Sequence, residues 1–333
     1  MKDKLRMFKR IAIIFAALLL TMSIITTLVG CKEKEEQYSK DLWEDYMLEM
    51  KYVDNFKIMQ FADIQARTAE ACNNAFIDIK THVEKEKPNL IVLTGDNIED
   101  PKNEDAFNAL VSNMESLNTP WAPVFGNHDA NGVLTKDFMA EKFIAAENCL
   151  FYKGAQGVDG VGNYVINLTA KNNKIVYSLF LIDSNMYDGN GGYDWIHENQ
   201  IDWYTSAVSR LKAINKKKVV PSLAFFHIPL QEFIDAKVSY ESGESIGEWA
   251  IFNEKICPGT INSGFFDKVK ELGSTKAIIC GHEHINTCNI EYQGINLVYG
   301  LKSSRNSYFD STLLGTTIIT LTKKVKIYNS FFE

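Results

Sequence analysis

Leu90-Ile91-Val92-Leu93-Thr94-Gly95-Asp96-Asn97 is the stretch from which the rest of this 333-residue chain is read. Four apolar residues in a row, preceded by Pro88 and Asn89, have the pattern of a strand buried on both faces. In an α/β sheet such a strand delivers the residues after it to the carboxyl edge, where ligands bind. Here those residues are Gly95, which lets the backbone turn sharply and come close to a ligand, and then a carboxylate. Asp96 is thereby placed to hold a hard cation, and its two oxygens can touch two ions at once. A Gly-Asp pair by itself would also suit a carboxylate capping the next helix, so its meaning depends on the other strand ends.

From Lys51 onward, short apolar runs alternate with helix-like segments, the signature of a layered α/β domain. Upstream of the quoted stretch the pattern predicts a strand over 56–64. A helix is predicted over 68–87, with Ala71, Ala75, Ile79 and Val83 along one face. Downstream it predicts helices over 104–117, 136–147 and 200–214 and strands over 121–125, 219–226 and 276–280. Residues 164–168 and 175–182 read as a hairpin turning at Asn172-Asn173. The tail, 287–292, 295–299, 316–321 and 325–328, is all short strands. No internal repeat or low-complexity linker interrupts 51–333, which reads as one domain.

The ends of these apolar runs share a chemistry. They are Asp63, Asp96, then Asn127-His128-Asp129, then His227, then His282-Glu283-His284. Four of the six histidines fall there. One strand-end histidine would be unremarkable, but five successive runs ending in oxygen or imidazole donors at one sheet edge describe a metal centre. Mixed carboxylate and imidazole ligation suits Mn, Fe or Zn, and the donors suffice for two ions.

The order D-x-x, G-D, G-N-H-D, H, G-H-x-H resembles the calcineurin-like metallophosphoesterase superfamily, which includes the purple acid phosphatases. "DNIED" from Asp96, "GVGNY" from Gly160, "GGYDWI" from Gly191, "LAFFHIPLQEF" from Leu223, "NSGFF" from Asn262 and "GHEHIN" from Gly281 are similar to its purple-acid-phosphatase-like branch. The similarity runs from about Lys57 to about Gly300. It implies an α/β fold of two packed mixed β-sheets flanked by helices, and hydrolysis of phosphate monoesters or diesters by hydroxide activated between two ions. Such ions sit roughly 3.5–4 Å apart, lower the pKa of a bridging water and clamp the phosphoryl oxygens. By the same resemblance Asp96 bridges the ions, Asp63 and His284 serve the first, and Asn127, His227 and His282 serve the second. His128 contacts the phosphate and protonates the leaving oxygen, with Asp129 orienting its ring.

Two positions depart from that pattern. Gln65 stands where the superfamily has a histidine ligand, and its amide oxygen is a weaker donor to the first ion. Glu99 stands where purple acid phosphatases carry a ligating tyrosine, so no purple colour is expected. The competing reading is a non-catalytic binding lipoprotein whose first metal site has decayed through Gln65. Tyr193, Trp195 and Arg305 are candidates for the pocket wall, Asp183 reads as structural, and His82 and His197 read as exposed.

The amino terminus reads as an export signal. Basic residues up to Arg10 precede an apolar run over 11–29, long enough also to span a bilayer. Leu28-Val29-Gly30-Cys31 resembles the lipobox of bacterial lipoproteins. That implies a signal peptide over 1–30, acylation of Cys31, a tether over 31–50 and attachment to the outer face of the cell membrane. The net charge is −7, and it falls to about −11 without the basic first 30 residues. Such acidity argues against nucleic acid as a bulk partner. Beyond Cys31 the five cysteines are odd in number and form no C-x-x-C pair, so no complete disulfide framework is available. Cys280, in an apolar run, reads as a buried thiol.

Overall fold

The quoted run forms β3 (Leu90–Thr94), buried along its whole length. The computed structural model describes residues 46–99, 104–322 and 325–333. β3 pairs in parallel with β2 (Phe56–Phe61) and with β4 (Trp121–Val124). Two antiparallel strands, β12 (Gly315–Leu321) and β13 (Val325–Phe331), complete a five-stranded mixed sheet in the order β13-β12-β2-β3-β4.

The second sheet has eight strands. Its centre is parallel: β6 (Ile175–Leu181), β7 (Ser222–Phe225), β9 (Thr275–Cys280) and β11 (Ile295–Tyr299). β5 (Tyr164–Thr169) lies antiparallel to β6 in the expected hairpin, and β1 (Met47–Lys51) runs parallel to β5 at the edge. Beyond β11 come β10 (Asn286–Tyr292) and β8 (Ile246–Phe252), both antiparallel to their neighbours. The expected pair of mixed sheets flanked by helices is therefore what the chain builds.

Why the first helix stops and starts where it does is clear from its ends. Helix α1 (Ala69–Glu86) begins after Thr68, whose extended backbone lets its hydroxyl accept from Ala71 N at 3.1 Å. It ends at Lys87, in the left-handed region with φ 49. Both caps satisfy backbone groups that the helix itself leaves open. Helix α2 (Glu104–Ser116) packs against α1, and α3 (Lys136–Ala145) comes after β4. α4 (Glu198–Ile214) packs with α6 (Phe265–Leu272), and α5 (Glu232–Glu241) lies against β10 and β8.

Between and beside the sheets the core is aromatic. Trp121, Phe107, Phe125 and Phe151 surround Phe143 with ring centroids 5.2–5.7 Å apart. Deleting such a fully buried ring typically costs about 3–5 kcal/mol. Polar ties cross between the sheets: Tyr164 Oη donates to Pro123 O at 2.7 Å. Gln60 Nε2 donates to Thr94 Oγ1 at 2.6 Å and to Cys280 O at 3.2 Å. The Gln60 bonds hold the carboxyl ends of β2, β3 and β9 against one another.

Several expectations need correcting. β1 begins inside the segment expected to be a tether, and Tyr46 is buried edge-on against Trp203; the packed domain therefore begins by residue 46. Strand β8 and helices α5 and α6 carry no expectation in the sequence reading. His82 is buried, its two ring nitrogens meeting Asp78 O and Phe331 O at 3.0 Å each. His197 is half-buried between Asp159 and Asp194. Asp183 is structural as expected, ion-paired with Lys136 at 2.7 Å. All five cysteines among the described residues are free, and Cys280 is buried. The expected signal peptide, Cys31 and the segment up to residue 45 lie outside the described residues. No helix among the described residues is long and apolar enough to cross a membrane.

Candidate metal centre

The loops that leave β2, β3, β4, β7 and β9 meet at one place, and the backbone there is forced. Asp63 (φ 55), Gln65 (φ 47), Asp96 (φ 49) and His282 (φ 88) all lie in the left-handed region, which non-glycine residues occupy at a cost. Their conformations are held by cross-loop bonds. Asp63 N donates to Gly95 O at 3.2 Å, Gln65 N to Asp96 O at 2.8 Å, and His128 N to Asp96 Oδ1 at 2.8 Å. His282 N donates to both oxygens of Asp63, at 3.3 and 3.1 Å.

At the middle of this cluster His227 is completely buried, and its Nδ1 is committed to Thr94 O at 2.8 Å. Its Nε2 is therefore the atom that faces the centre. It lies 3.3 Å from Asp96 Oδ1, 3.1 Å from Asn127 Oδ1 and 3.3 Å from His282 Nδ1. The ligand atoms of Asp96, His227 and His282 all lie within 4.8 Å of one another. Asn127 is turned the right way by Tyr187: its Nδ2 donates to the phenol oxygen at 3.0 Å, which leaves Oδ1 toward His227.

Electrostatics make the same point a cation site. Burial lowers the pKa of His227, but the Asp96 carboxylate outweighs it and lifts the imidazole to about 9. Burial raises Asp96, yet His227 beside it holds the carboxyl below the usual range. Burial, and then positive charge on His227, pushes His282 down to about 3. Burial, and then Lys302, does the same to His284. Those two rings are thus neutral, with lone pairs available. A buried carboxylate, an amide oxygen and two imidazoles are a donor set that fits Mn, Fe or Zn.

The other half of the centre is less complete. Asp63 is buried beside His284, whose Nε2 is 3.8 Å from Asp63 Oδ1 and whose Nδ1 lies 3.0 Å from Tyr308 O. Burial, with the neighbouring Asp96 adding to it, raises the Asp63 carboxyl to about 7. Gln65 lines the same cavity as His284. Its Oε1 accepts from Lys302 Nζ at 2.8 Å, and that amine also donates to Asp63 O at 2.7 Å. Gln65, expected as a ligand, thus has its donor oxygen accepting one hydrogen bond from a buried lysine.

A second correction concerns Asp129. Its oxygens take Ile98 N at 3.0 Å, Asn97 Nδ2 at 3.1 Å and Gly126 N at 2.7 Å, not the ring of His128. It fastens the β3 and β4 loops to each other, which fixes Asp96 and Asn127 in relation. His128 itself is half-buried and lines an open cavity of about 270 Å³ with Asp96, Glu99, Tyr193, His282, His284 and Tyr308. Tyr193 stands edge-on to His282 at 4.4 Å, and Tyr308 stacks on His284 at 4.0 Å. Glu99 is ion-paired with Arg67 at 2.6 Å. Trp195 and Arg305 do not line the cavity. Lys302, Tyr187 and Tyr308 were missed by the sequence reading, since each reaches the centre from a loop with no motif of its own.

Comparison with known proteins agrees with this geometry. The chain is 32% identical over 281 residues to "Probable inactive purple acid phosphatase 29" of Arabidopsis thaliana, covering 74% of this chain and 71% of the relative. It is 31% identical over 260 residues to "Phosphatase DCR2" of Saccharomyces cerevisiae, covering 69% of this chain and 44% of that protein. Among solved structures a dimetal phosphatase from Danio rerio shares the fold, with a TM-score of 0.56 at 11% identity, covering 83% of this chain and 96% of that one. The calcineurin-like phosphoesterase family profile matches residues 56–286, from the first strand of the five-stranded sheet through the Gly-His-Glu-His turn, and the chain belongs to that family.

Proposed function

We propose that this protein is a metal-dependent hydrolase of phosphate monoesters or diesters. The observation that carries the reading is the Asp96–His227–His282 cluster within 4.8 Å, opening directly onto the cavity that His128 lines. A divalent ion bound there supplies Lewis acidity, drawing charge from the phosphoryl oxygens and making water at the site more acidic. The chain's own groups do the rest. Asp96 and Asn127 fix the centre, and the committed Nδ1 of His227 fixes its ring. Water adds to phosphorus as the bond to the leaving oxygen breaks; His128 gives that oxygen its proton, and the proton the water releases restores His128 through solvent. Tyr193 and Tyr308 form the walls against which the esterified group rests.

The competing reading, a non-catalytic binding protein, has one observation in its favour: the engagement of Gln65 by Lys302. Three plant relatives also carry the word "inactive" in their names. A panel of phosphomonoester, phosphodiester and nucleotide substrates, assayed with Mn, Fe and Zn, decides between them. Turnover abolished by a chelator and restored by metal supports the hydrolase; no turnover with any metal while metal still binds supports the binding protein.

The proposal extends to location. The lipobox-like Leu28-Val29-Gly30-Cys31 supports a chain held by acyl groups at the outer face of a bacterial membrane. Cys31→Ser should then abolish lipid labelling of the protein in cells and leave turnover unchanged. Labelling that persists in this variant would exclude acylation at Cys31.

A further inference from the structure

Lys302 is completely buried, yet no element of the proposed reaction uses it. Its backbone is pinned on both sides, bridging Ala62 and Leu314, with Gly315 N donating to its carbonyl at 2.9 Å. The side chain is thereby delivered beneath the 63–65 turn. There Nζ donates to Asp63 O at 2.7 Å and to Gln65 Oε1 at 2.8 Å. Both acceptors belong to residues with left-handed backbone, so the turn itself is shaped to receive the amine. Two nearby residues grip the same turn: Ser304 Oγ and Asn306 Nδ2 both donate to Ile64 O, at 2.7 and 2.8 Å.

The two halves of the centre therefore differ in kind. In one, Asp96, His227 and His282 already converge within 4.8 Å, the only such trio of acidic, histidine or cysteine residues among the described residues. In the other, Asp63, His284 and the shared Asp96 form no such trio, and Gln65 Oε1 accepts from Lys302 Nζ. Lys302 also brings its ammonium to the Asp63 side of the centre, where a second ion would otherwise supply positive charge.

We propose that the centre holds one tightly bound ion, in the Asp96–Asn127–His227–His282 half, and that Lys302 supplies from beneath Asp63 and Gln65 the positive charge a second ion would bring. This rests on the hydrolase reading only for its use in catalysis; the stoichiometry stands apart from it. Gln65 and Lys302 then act as a pair. Gln65→His alone sets an imidazole against the amine and gains no ion, whereas Gln65→His with Lys302→Met frees the half-site to take one. Lys302 touches neither substrate nor the reacting atoms, and its role is positioning and charge balance.

The test is metal content, which needs no turnover. The full chain and its variants are loaded with Mn(II), passed through gel filtration, and read by mass spectrometry of metal per chain and by electron paramagnetic resonance. We expect one ion per unaltered chain with the six-line spectrum of an isolated Mn(II). The same is expected in His284→Ala, and near-complete loss in His227→Ala. The Gln65→His/Lys302→Met variant should hold two ions with an exchange-coupled spectrum. Two ions or none in the unaltered chain overturns the proposal, as does an ion lost with His284 but kept without His227. A double variant that folds and still holds one ion removes Lys302 as the cause. Should that variant fail to fold, the unaltered chain and His284→Ala still decide. One ion without hydrolysis leaves this inference intact and removes the hydrolase reading; two ions with hydrolysis does the opposite.

Discussion

Gly95 has φ 85, and a Cβ there would stand 2.7 Å from the His227 ring. Alanine would face both left-handed backbone, costing about 1–2 kcal/mol, and a clash that moves a ligand. Gly95→Ala should therefore weaken metal binding at least tenfold and lower Tm by a few degrees, measured by calorimetric titration and thermal unfolding. Unchanged affinity would mean that His227 does not need its present place. His128 makes the contrasting case, because it lines the cavity without joining the ligand cluster. His128→Ala should keep its metal and lose roughly 10²–10⁴-fold in rate, the usual worth of a positioned acid. The deficit should be largest for esters with poor leaving groups and smallest for nitrophenyl esters; an equal deficit, or lost metal, would contradict the acid role. At this scale the candidate donors were legible because each lies just beyond an apolar run that had to be a strand. Lys302 was not legible, since its partner Gln65 lies 237 residues away and only the folded chain joins them. Asp129 was misread for a related reason: adjacency to His128 in sequence says nothing about which N–H groups its oxygens meet.

The loops around 154–162 and 187–199 are joined by one histidine. His197 Nδ1 meets Asp159 at 2.7 Å and Nε2 meets Asp194 at 2.8 Å, and its backbone N–H donates to Gln200 at the start of α4. Burial lowers the His197 pKa, but the two carboxylates outweigh it, and the net shift is upward. A folded pKa above the unfolded value gives a contribution to stability that is complete below about 6.5, the unperturbed value, and lost as pH rises through the folded pKa. His197→Gln should thus destabilise the protein more at acidic than at alkaline pH in urea unfolding; an equal loss at both would contradict the tie. Elements with strong burial periodicity and caps, α1 above all, were readable in advance. β1 and β8 were not, for they are edge strands whose residues are half-exposed or exposed and whose sequences lack clean alternation.

Across the whole molecule, two sheets aim the carboxyl ends of β2, β3, β4, β7 and β9 at one point, so ligands scattered from Asp63 to His284 become neighbours. That convergence was expected from strand order and from the family resemblance; the inequality of its two halves required the folded structure. In the hydrolase we propose, Asp96 anchors the metal centre. The direct measurement is the rate of nitrophenyl phosphate and bis(nitrophenyl) phosphate hydrolysis by the full chain and by Asp96→Asn, with metal content determined on the same samples. We expect metal-dependent turnover of at least one ester by the unaltered chain, and a variant that loses most of its metal and at least ~10³-fold in rate, since a neutral amide cannot balance the cation. Full activity and full metal content in Asp96→Asn, or turnover by the unaltered chain that persists after its metal is removed, would contradict the account.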